Sequence, residues 1–310
     1  MKAMKIVTII CWMITALALT GLLIFFLTGT IFGFSSDKWD FGNNFGIGFS
    51  SFTENLTGPF TVDGTYNVAA DNIDTLRINW VAGNVTVTPY DGTNIKITEL
   101  AQRELSDREK LGFSVSSDTL TINFRERGSN RFGNMPRKQL EVLVPHALAE
   151  NLSKLVIETV SGNVNIDGIN ASVLEGESVS ADLRFLGSYG KVKLESVSGN
   201  LLLRNNSPGC EVNANNVSGL IDLLGSFNKV NIETVSGQML VSSEELPTSF
   251  KAESVSGSLT IKLPAGSTVS VNHSAVSGKL TSDLPILMEG RGAAFTISSV
   301  SGNTKIEVLE

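Results

Sequence analysis

The sequence predicts an all-β protein, a parallel β-solenoid of about 20-residue repeats preceded by one transmembrane helix, and three observations support this. A long uncharged apolar segment lies near the amino terminus of the 310-residue chain. A Val-Ser-Gly tripeptide recurs at nearly regular intervals in the second half. Short runs in which apolar and polar residues alternate flank each copy, and this alternation is typical of half-buried strands.

The first element is the uncharged segment of 29 residues over positions 6–34. A membrane-spanning helix needs about 20 apolar residues, whereas the apolar part of a cleaved signal peptide has roughly 7–15. The length predicts an uncleaved anchor, so residues 1–34 are a cytoplasmic stub and a transmembrane helix. Lys2 and Lys5 are the only charges before the span, which places the amino terminus in the cytoplasm and the remainder outside it. We therefore expect a single-pass protein of the cell membrane.

Residues 35–59 are predicted to be a flexible linker. They mix glycines and asparagines with Phe41, Phe45, Phe49 and Phe52. A Gly-x-Gly pattern can indicate phosphate binding, but no strand precedes this one and no helix signal follows it. The composition is instead that of a Gly-rich connection.

Residues 60–150 are predicted to be an N-terminal β region of rungs and wider hairpins. Residues 76–88 alternate as a degenerate rung with Ala82 and Gly83 at its corner, and residues 95–98, 111–115, 120–124 and 140–144 alternate likewise. Five basic residues surround Pro136: Arg125, Arg127, Arg131, Arg137 and Lys138. We interpret them as a solvated loop tip, with a binding patch as the alternative.

Residues 151–310 are predicted to be the repeat β-solenoid. The Val residues of its eight corners lie 19, 18, 20, 18, 20, 21 and 24 residues apart. The residue five positions before each Val is apolar, as are nearly all residues four and six positions after it. Two strands of four to six residues plus two turns use about 20 residues, so each repeat is one rung. A single rung cannot close a core, and rungs must therefore stack at ~4.8 Å.

Seven of the corners contain a Ser followed by a Gly, and Val179-Ser180-Ala181 fills the remaining one. Gly supplies a turn conformation that a Cβ disfavours, and Ser hydroxyls bond their own turn or the next rung. A row of nucleophiles is the alternative, but no base repeats beside it. We predict structural corners at Ser161, Gly162, Ser198, Gly199, Ser218, Gly219, Ser236, Gly237, Ser256, Gly257, Ser277, Gly278, Ser301 and Gly302.

A carboxylate ladder is predicted two residues before the corner Val. It consists of Glu158, Glu177, Glu195, Glu233 and Glu253. Like charges at rung spacing repel, and nearby lysines such as Lys193 and Lys251 offset this. The interpretation is a surface of balanced charges, with a surface-type Ca²⁺ ladder as the alternative.

Composition excludes several classes of protein. The chain has 24 Lys+Arg against 31 Asp+Glu and a net charge of −7, which is the wrong sign for a nucleic-acid-binding protein. His146 and His273 are too few and too distant for a His-based metal site or a Ser-His-Asp triad. Cys11 and Cys210 cannot form a disulfide framework. We therefore predict no catalytic residue and no cofactor.

The combination of one amino-terminal span, a Gly-containing linker, the Ile78-Asn-Trp-Val-Ala-Gly-Asn-Val85 strand pair and the repeated Glu-x-Val-Ser-Gly corners resembles a known group. The strands Leu140-Glu-Val-Leu-Val-Pro145 and Ile261-Lys-Leu-Pro-Ala-Gly266 add to the likeness. Over residues 60–310 the chain is similar to the bacterial putative-adhesin domain family of unknown function, the β-strand-repeat proteins of Gram-positive type. This resemblance implies a β-solenoid exposed at the cell envelope, without a catalytic motif and in some members tied to envelope-stress regulation.

Three functions are open at this point. The first is a membrane-anchored module that binds, spaces or senses at the envelope without chemistry, with a glycan or protein ligand. The second is a regulatory partner of a membrane protein in envelope-stress signalling. The third is a polysaccharide-acting β-helix enzyme, because carboxylates on neighbouring rungs meet the ~5–9.5 Å separation of a glycosidase by geometry alone.

Overall fold

The computed structural model describes residues 59–125, 136–287 and 293–309, so the predicted transmembrane helix and residues 35–58 of the predicted linker lie outside it. Within these ranges the only helix is α1 (His146–Ala149), and no helix is long and apolar enough to span a bilayer. Strands dominate the described chain, and the prediction of an all-β fold is confirmed.

The described strands join into one continuous sheet. They are β1 (Thr61–Ala69), β2 (Thr75–Ala82), β3 (Val85–Tyr90), β4 (Asn94–Ala101), β5 (Gly112–Ser116), β6 (Thr119–Asn123), β7 (Lys138–Pro145), β8 (Leu152–Ser161), β9 (Val164–Asp167), β10 (Ala171–Ser180), β11 (Leu183–Gly187), β12 (Tyr189–Ser198), β13 (Leu201–Ser243), β14 (Ser249–Leu263), β15 (Val269–Ser277), β16 (Leu280–Ser282), β17 (Ile286–Leu287), β18 (Ala293–Ser301) and β19 (Thr304–Val308).

The strands form two columns that meet at the corners. The first column, which precedes the corners, has the order β5, β6, β2, β8, β10, β12, β13, β14, β18, β15 and β17. The second column, which follows the corners, has the order β1, β4, β7, β3, β9, β11, β13, β14, β19 and β16. From β6 and β7 onward the pairings are parallel, so equivalent positions of successive repeats lie next to each other.

Chain order and spatial order differ at both ends of the columns. At the carboxyl end, β18 and β19 lie between β14 on one side and β15 with β16 on the other. The last rung of the chain is therefore the penultimate rung in space. At the amino end, β2 and β3 lie between the later strands β6 with β7 and β8 with β9.

The N-terminal β region contains the strands and the corner predicted for it. β2 and β3 flank Gly83, whose φ is +92°. The wider hairpins are antiparallel, β4 pairing with β1 and β7, and β5 pairing with β6. These antiparallel strands close the amino end of the two columns.

The inward side chains of both columns form one hydrophobic core. Leu174, Leu183 and Phe185, which occupy the predicted apolar positions of one repeat, are fully buried. On adjacent rungs the rings of Phe250 and Phe295 stack with centroids 4.9 Å apart. Burial thus requires neighbouring rungs, since each rung contributes only a few apolar side chains.

Candidate functional site

The carboxylate ladder lies on the solvent side of the first column. Glu177 pairs in register with Glu158 on one side and with Glu195 on the other. Farther along, Glu233 pairs with Glu253. Because side chains alternate along a strand, the residues beside each Glu face the core and the Glu faces solvent. The structure therefore brings the five predicted carboxylates onto one face.

Lys193 bridges the carboxylates of two neighbouring rungs of the ladder. Its Nζ lies 3.2 Å from a carboxylate oxygen of Glu177 and 3.2 Å from one of Glu195. Burial alone would lower the pKa of this ammonium group, but the two carboxylates outweigh burial and raise the pKa of Lys193. One cation shared by two carboxylates offsets the repulsion that stacked like charges produce.

The other three carboxylates of the ladder are also paired with cations. Lys251 Nζ lies 3.5 Å from Glu233 and 3.0 Å from Glu253. Arg77 of β2 lies 2.6 Å from Glu158. Burial raises the pKa of Glu158, although Arg77 opposes this effect. Each carboxylate of the ladder is thus within 3.5 Å of a Lys or Arg nitrogen.

In the predicted alternative of a Ca²⁺ ladder, the ion would compete with the Lys and Arg side chains that pair with the ladder carboxylates. Among the residues that the structure describes, no group of three or more His, Cys, Asp or Glu side chains is placed to hold a metal ion. Asn213 and Asn231 extend the polar face with a side-chain hydrogen bond of 3.3 Å. The face therefore presents carboxylate, ammonium and amide groups that repeat at rung spacing.

The predicted Ser-Gly corners form a row in which backbones of adjacent rungs approach closely. At each of the seven glycines, a Cβ would lie 1.8–2.3 Å from the carbonyl oxygen of the corner residue on an adjacent rung. Gly199, for example, has φ +139°, and its Cβ would lie 2.2 Å from Ala181 O. Ala181 has no positive φ, and neither have Gly237 and Gly257, so the corners do not share one backbone conformation. Close approach across rungs, which all seven glycines share, therefore explains them.

The corner serines contribute hydrogen bonds between rungs. Ser161 Oγ donates to Val81 O at 3.3 Å, and Ser180 Oγ donates to Val160 O at 3.2 Å. Most of the corner serines are exposed. Their position next to a tight backbone row fits a structural role.

A second row of polar side chains, which the sequence reasoning missed, lies inside the first column. Its members are one residue before the corner Val, and all are buried: Thr159, Ser178, Ser196, Asn216, Thr234, Ser254 and Ser299. Ser178 and Ser196 share a hydrogen bond of 3.0 Å, and Asn216 donates to Gly199 O at 2.9 Å. The repeats carry the signal for this row, because the residue before the corner Val is Ser, Thr or Asn in all but one of the eight copies.

The prediction of a solvated basic loop around Pro136 is wrong for two of its residues. Lys138 is fully buried and Arg125 is 6% exposed, whereas Arg137 is exposed. Lys138 begins β7 and alternates in phase with the inward residues Leu140 and Val142, which explains its burial. Arg127 and Arg131 lie outside the described residues.

Lys138 and Glu99 form a buried ion pair. Lys138 Nζ is 2.6 Å from Glu99 Oε1, and neither side chain is exposed. Lys138 also donates to the carbonyl oxygens of Glu109, at 2.7 Å, and Phe124. The Glu99 carboxylate accepts the Leu111 N–H at 3.0 and 3.1 Å. The pair therefore links β4 and β7 to the segment between β4 and β5.

Aromatic rings cover the ammonium group of this pair. Lys138 Nζ lies 4.1 Å from the centroid of Phe124 and 5.3 Å from that of Trp80. Burial lowers the pKa of Lys138 to about 8, although Glu99 opposes the shift. Because the group is sealed from solvent and its partners among the described residues are Glu99, two backbone carbonyls and two aromatic rings, it is a structural charge and does not present a reactive amine.

Comparison with known proteins places the chain among β proteins of similar architecture. A family model described as Toastrack DUF4097 matches residues 73–308. No curated protein matches the chain significantly. A solved structure described as a putative adhesin from Bacteroides fragilis is 15% identical, with a TM-score of 0.51 over 79% of this chain and 96% of that chain.

Two further solved structures come from Parabacteroides distasonis. One, described as a putative adhesin, is 13% identical with a TM-score of 0.43, over 79% of this chain and 98% of that chain. The other, described as a putative lipid binding protein, is 12% identical with a TM-score of 0.43, over 80% of this chain and 96% of that chain.

Proposed function

The chain belongs to the Toastrack DUF4097 family, and we propose that it is a non-catalytic, adhesin-like β-solenoid module held at the cell envelope by its amino-terminal segment. The family resemblance predicted from the Glu-x-Val-Ser-Gly corners is thereby confirmed. The description of the Bacteroides fragilis structure as a putative adhesin supports the adhesin-like role. The uncharged segment and the two lysines before it support an anchor with the repeats outside the cytoplasm.

The observation that carries the proposal is the ion-paired carboxylate ladder on the solvent face of the first column. Lys193 and Lys251 each bridge carboxylates of two rungs, so the same polar pattern is repeated along the stack. A repeated surface suits a ligand that is itself extended, such as a glycan strand or a protein of the envelope. Neighbouring carboxylates here follow from register alone, so their proximity does not support hydrolysis.

Binding is tested on an array of glycans and peptidoglycan fragments, probed with the full-length chain in lipid nanodiscs, with and without Ca²⁺. We expect at least one saturable ligand. Lys193→Glu should weaken binding about tenfold, because it leaves three carboxylates unbalanced at the centre of the ladder. Lys305→Glu makes the same charge change in the second column and should leave binding unchanged.

The other outcomes overturn different parts of the proposal. A blank array overturns ligand binding of this class and favours the regulatory role, in which the full-length chain and a span-deleted chain capture different membrane proteins. Release of shortened glycans from the array overturns the non-catalytic role and favours the enzyme. Equal binding by both Lys variants removes the ladder from the binding surface.

A further inference from the structure

At the amino end, the two columns of described strands differ in length by one strand. Beyond β3, the second column continues through β7 and β4 to β1. Among the described strands, the first column continues beyond β2 only through β6 to β5. Each rung from β2 with β3 to β15 with β16 has a strand in both columns. Within the described part of the chain, β1 is therefore half a rung.

Core-facing side chains of β5 are exposed at the place where the other half would lie. Phe113 and Val115 are 40% and 49% exposed. They lie opposite Ile122 and Leu120 of β6, both fully buried, and directly opposed residues share one face of a sheet. Phe113 also contacts Tyr66 of β1, with ring centroids 5.3 Å apart. The described strands thus cover the end of the core incompletely on the side of the first column.

The residues directly before β1 have the sequence pattern of the missing strand. Gly58 and Pro59 are turn residues at the point where a corner is needed. Before them, three residues alternate with polar ones: Phe52, Glu54 and Leu56 alternate with Thr53, Asn55 and Thr57. An inward-pointing charge such as Glu54 is typical of an edge strand, because it discourages pairing with a further strand. The pattern is that of an outermost strand with two apolar side chains toward the core.

The rung geometry gives the register of this segment. Gly64 of β1 is in register with Val85 of β3 through β4 and β7. In the rung of β2 and β3, Ile78 lies seven residues before Val85 and is in register with Phe113 through β6. The register shift in β1 adds one residue to that strand. The equivalent position therefore lies eight residues before Gly64, at Leu56.

We propose that residues 51–57 form a strand antiparallel to β5 and complete the rung that β1 begins. This strand runs toward the corner, as β2 and β6 do, whereas β5 runs away from it. Residues 58–60 form the corner. Leu56 packs against Phe113, and Phe52 lies beyond Val115 at the far end of the core. The flexible part of the predicted linker then shortens to residues 35–50.

Residues 126–135, which connect β6 to β7, suit this surface less well. They leave β6 next to Gly112, at the end of β5 farthest from Val115. Glu126, Arg127 and Arg131 give these ten residues three charges, whereas residues 51–57 have one. Charged side chains are costly to place over exposed apolar core positions. Proximity along the chain also favours residues 51–57, which precede β1 directly.

Disulfide trapping in the full-length chain in detergent tests the strand and its register. In a Cys11→Ser background, Leu56→Cys with Phe113→Cys should form an intramolecular disulfide on mild oxidation, because directly opposed antiparallel residues lie within disulfide reach. Leu56→Cys with Ser114→Cys is the matched control, since Ser114 is on the opposite face of β5. The control should give about tenfold less disulfide. Non-reducing electrophoresis and peptide mass mapping identify the bond.

Thermal unfolding provides a second measurement. Leu56→Ser should lower the thermal midpoint by at least ~3 °C, because it removes an apolar side chain that covers the end of the core. Phe45→Ser makes a comparable change upstream of the proposed strand and should shift the midpoint by less than ~1 °C. Circular dichroism verifies that each variant is folded before heating.

Several results would overturn the proposal: equal trapping of the two Cys pairs, no intramolecular disulfide, or equal midpoints of the two Ser variants. Trapping of Phe132→Cys with Phe113→Cys, without trapping from Leu56→Cys, would overturn it in favour of residues 126–135. A disulfide that joins two chains would overturn it in favour of a second copy. The proposal does not depend on the ligand-binding function.

Discussion

Replacing Gly199 with Ala tests whether corner glycines are required by the close approach of adjacent rungs. Gly199 has φ +139°, a conformation that costs a residue with a Cβ about 1–3 kcal/mol. The new Cβ would also lie 2.2 Å from Ala181 O and 2.7 Å from the carbonyl carbon, both of which are backbone atoms that cannot rotate away. The rungs of Ala181 and Gly199 must separate locally, which weakens hydrogen bonds between them such as Leu183 N–H to Asn200 O. We expect a total loss of about 3 kcal/mol or more in the free energy of unfolding.

Gly209 provides the matched control for this substitution. It also has positive φ, +70°, but a Cβ there would meet no atom within 4 Å. Gly209→Ala should therefore cost only the conformational term, about 1–2 kcal/mol. Urea unfolding monitored by circular dichroism gives the free energy of unfolding of both variants at equal protein concentration. Losses that agree within about 0.5 kcal/mol would refute the close-approach explanation and leave only the turn conformation.

Two further changes test the buried and half-buried charges. Lys138→Met leaves the Glu99 carboxylate buried without its cation and should lower the free energy of unfolding by about 3–5 kcal/mol in the same assay. Adding Glu99→Met should recover most of that loss. A Lys138→Met variant as stable as the parent would contradict this explanation. Hydrogen bonds from Arg103 lower the pKa of Glu109 to about 2, against the opposing effect of burial and with help from Ser106. The stabilisation from ionised Glu109 is present above pH 4.5 and is lost as the pH falls toward 2. Glu109→Gln should therefore reduce the fall of the thermal midpoint between these pH values. An unchanged fall would contradict the low pKa of Glu109.

The repeats could be predicted from the sequence because their spacing and alternation report directly on strand geometry. The Val-Ser-Gly spacing predicts the corners, and the Glu residues two positions before each Val predict the solvent-facing ladder. Register followed, since only in-register stacking covers the apolar positions of each rung. These are local or periodic properties, which a sequence displays openly.

The buried ion pair was missed although alternation carried its signal. Lys138 shares its strand face with Leu140 and Val142, and Glu99 shares its face with Ile95 and Ile97, all of which are buried. The charge of these side chains predicts exposure, whereas their phase along the strand predicts burial, and the phase decides. In a β protein, a charged residue in phase with buried neighbours is a candidate for a paired charge.

The order of rungs at the two ends could not be predicted. Each repeat offers similar inward side chains, so β14 could be followed in space by β15 or by β18 with nearly the same local pattern. The choice is made by contacts between distant segments, such as the stacked rings of Phe250 and Phe295.

The proposed placement of the repeats outside the cytoplasm is tested most directly by labelling a single thiol in intact cells that produce the full-length chain. Ser256→Cys in a Cys11→Ser background places an exposed thiol on an interior rung. Cys210 stays silent because it is fully buried, and burial raises the pKa of its thiol to about 12. A membrane-impermeant maleimide should label intact cells as fully as lysed cells. Labelling that appears only after lysis would contradict an extracytoplasmic module.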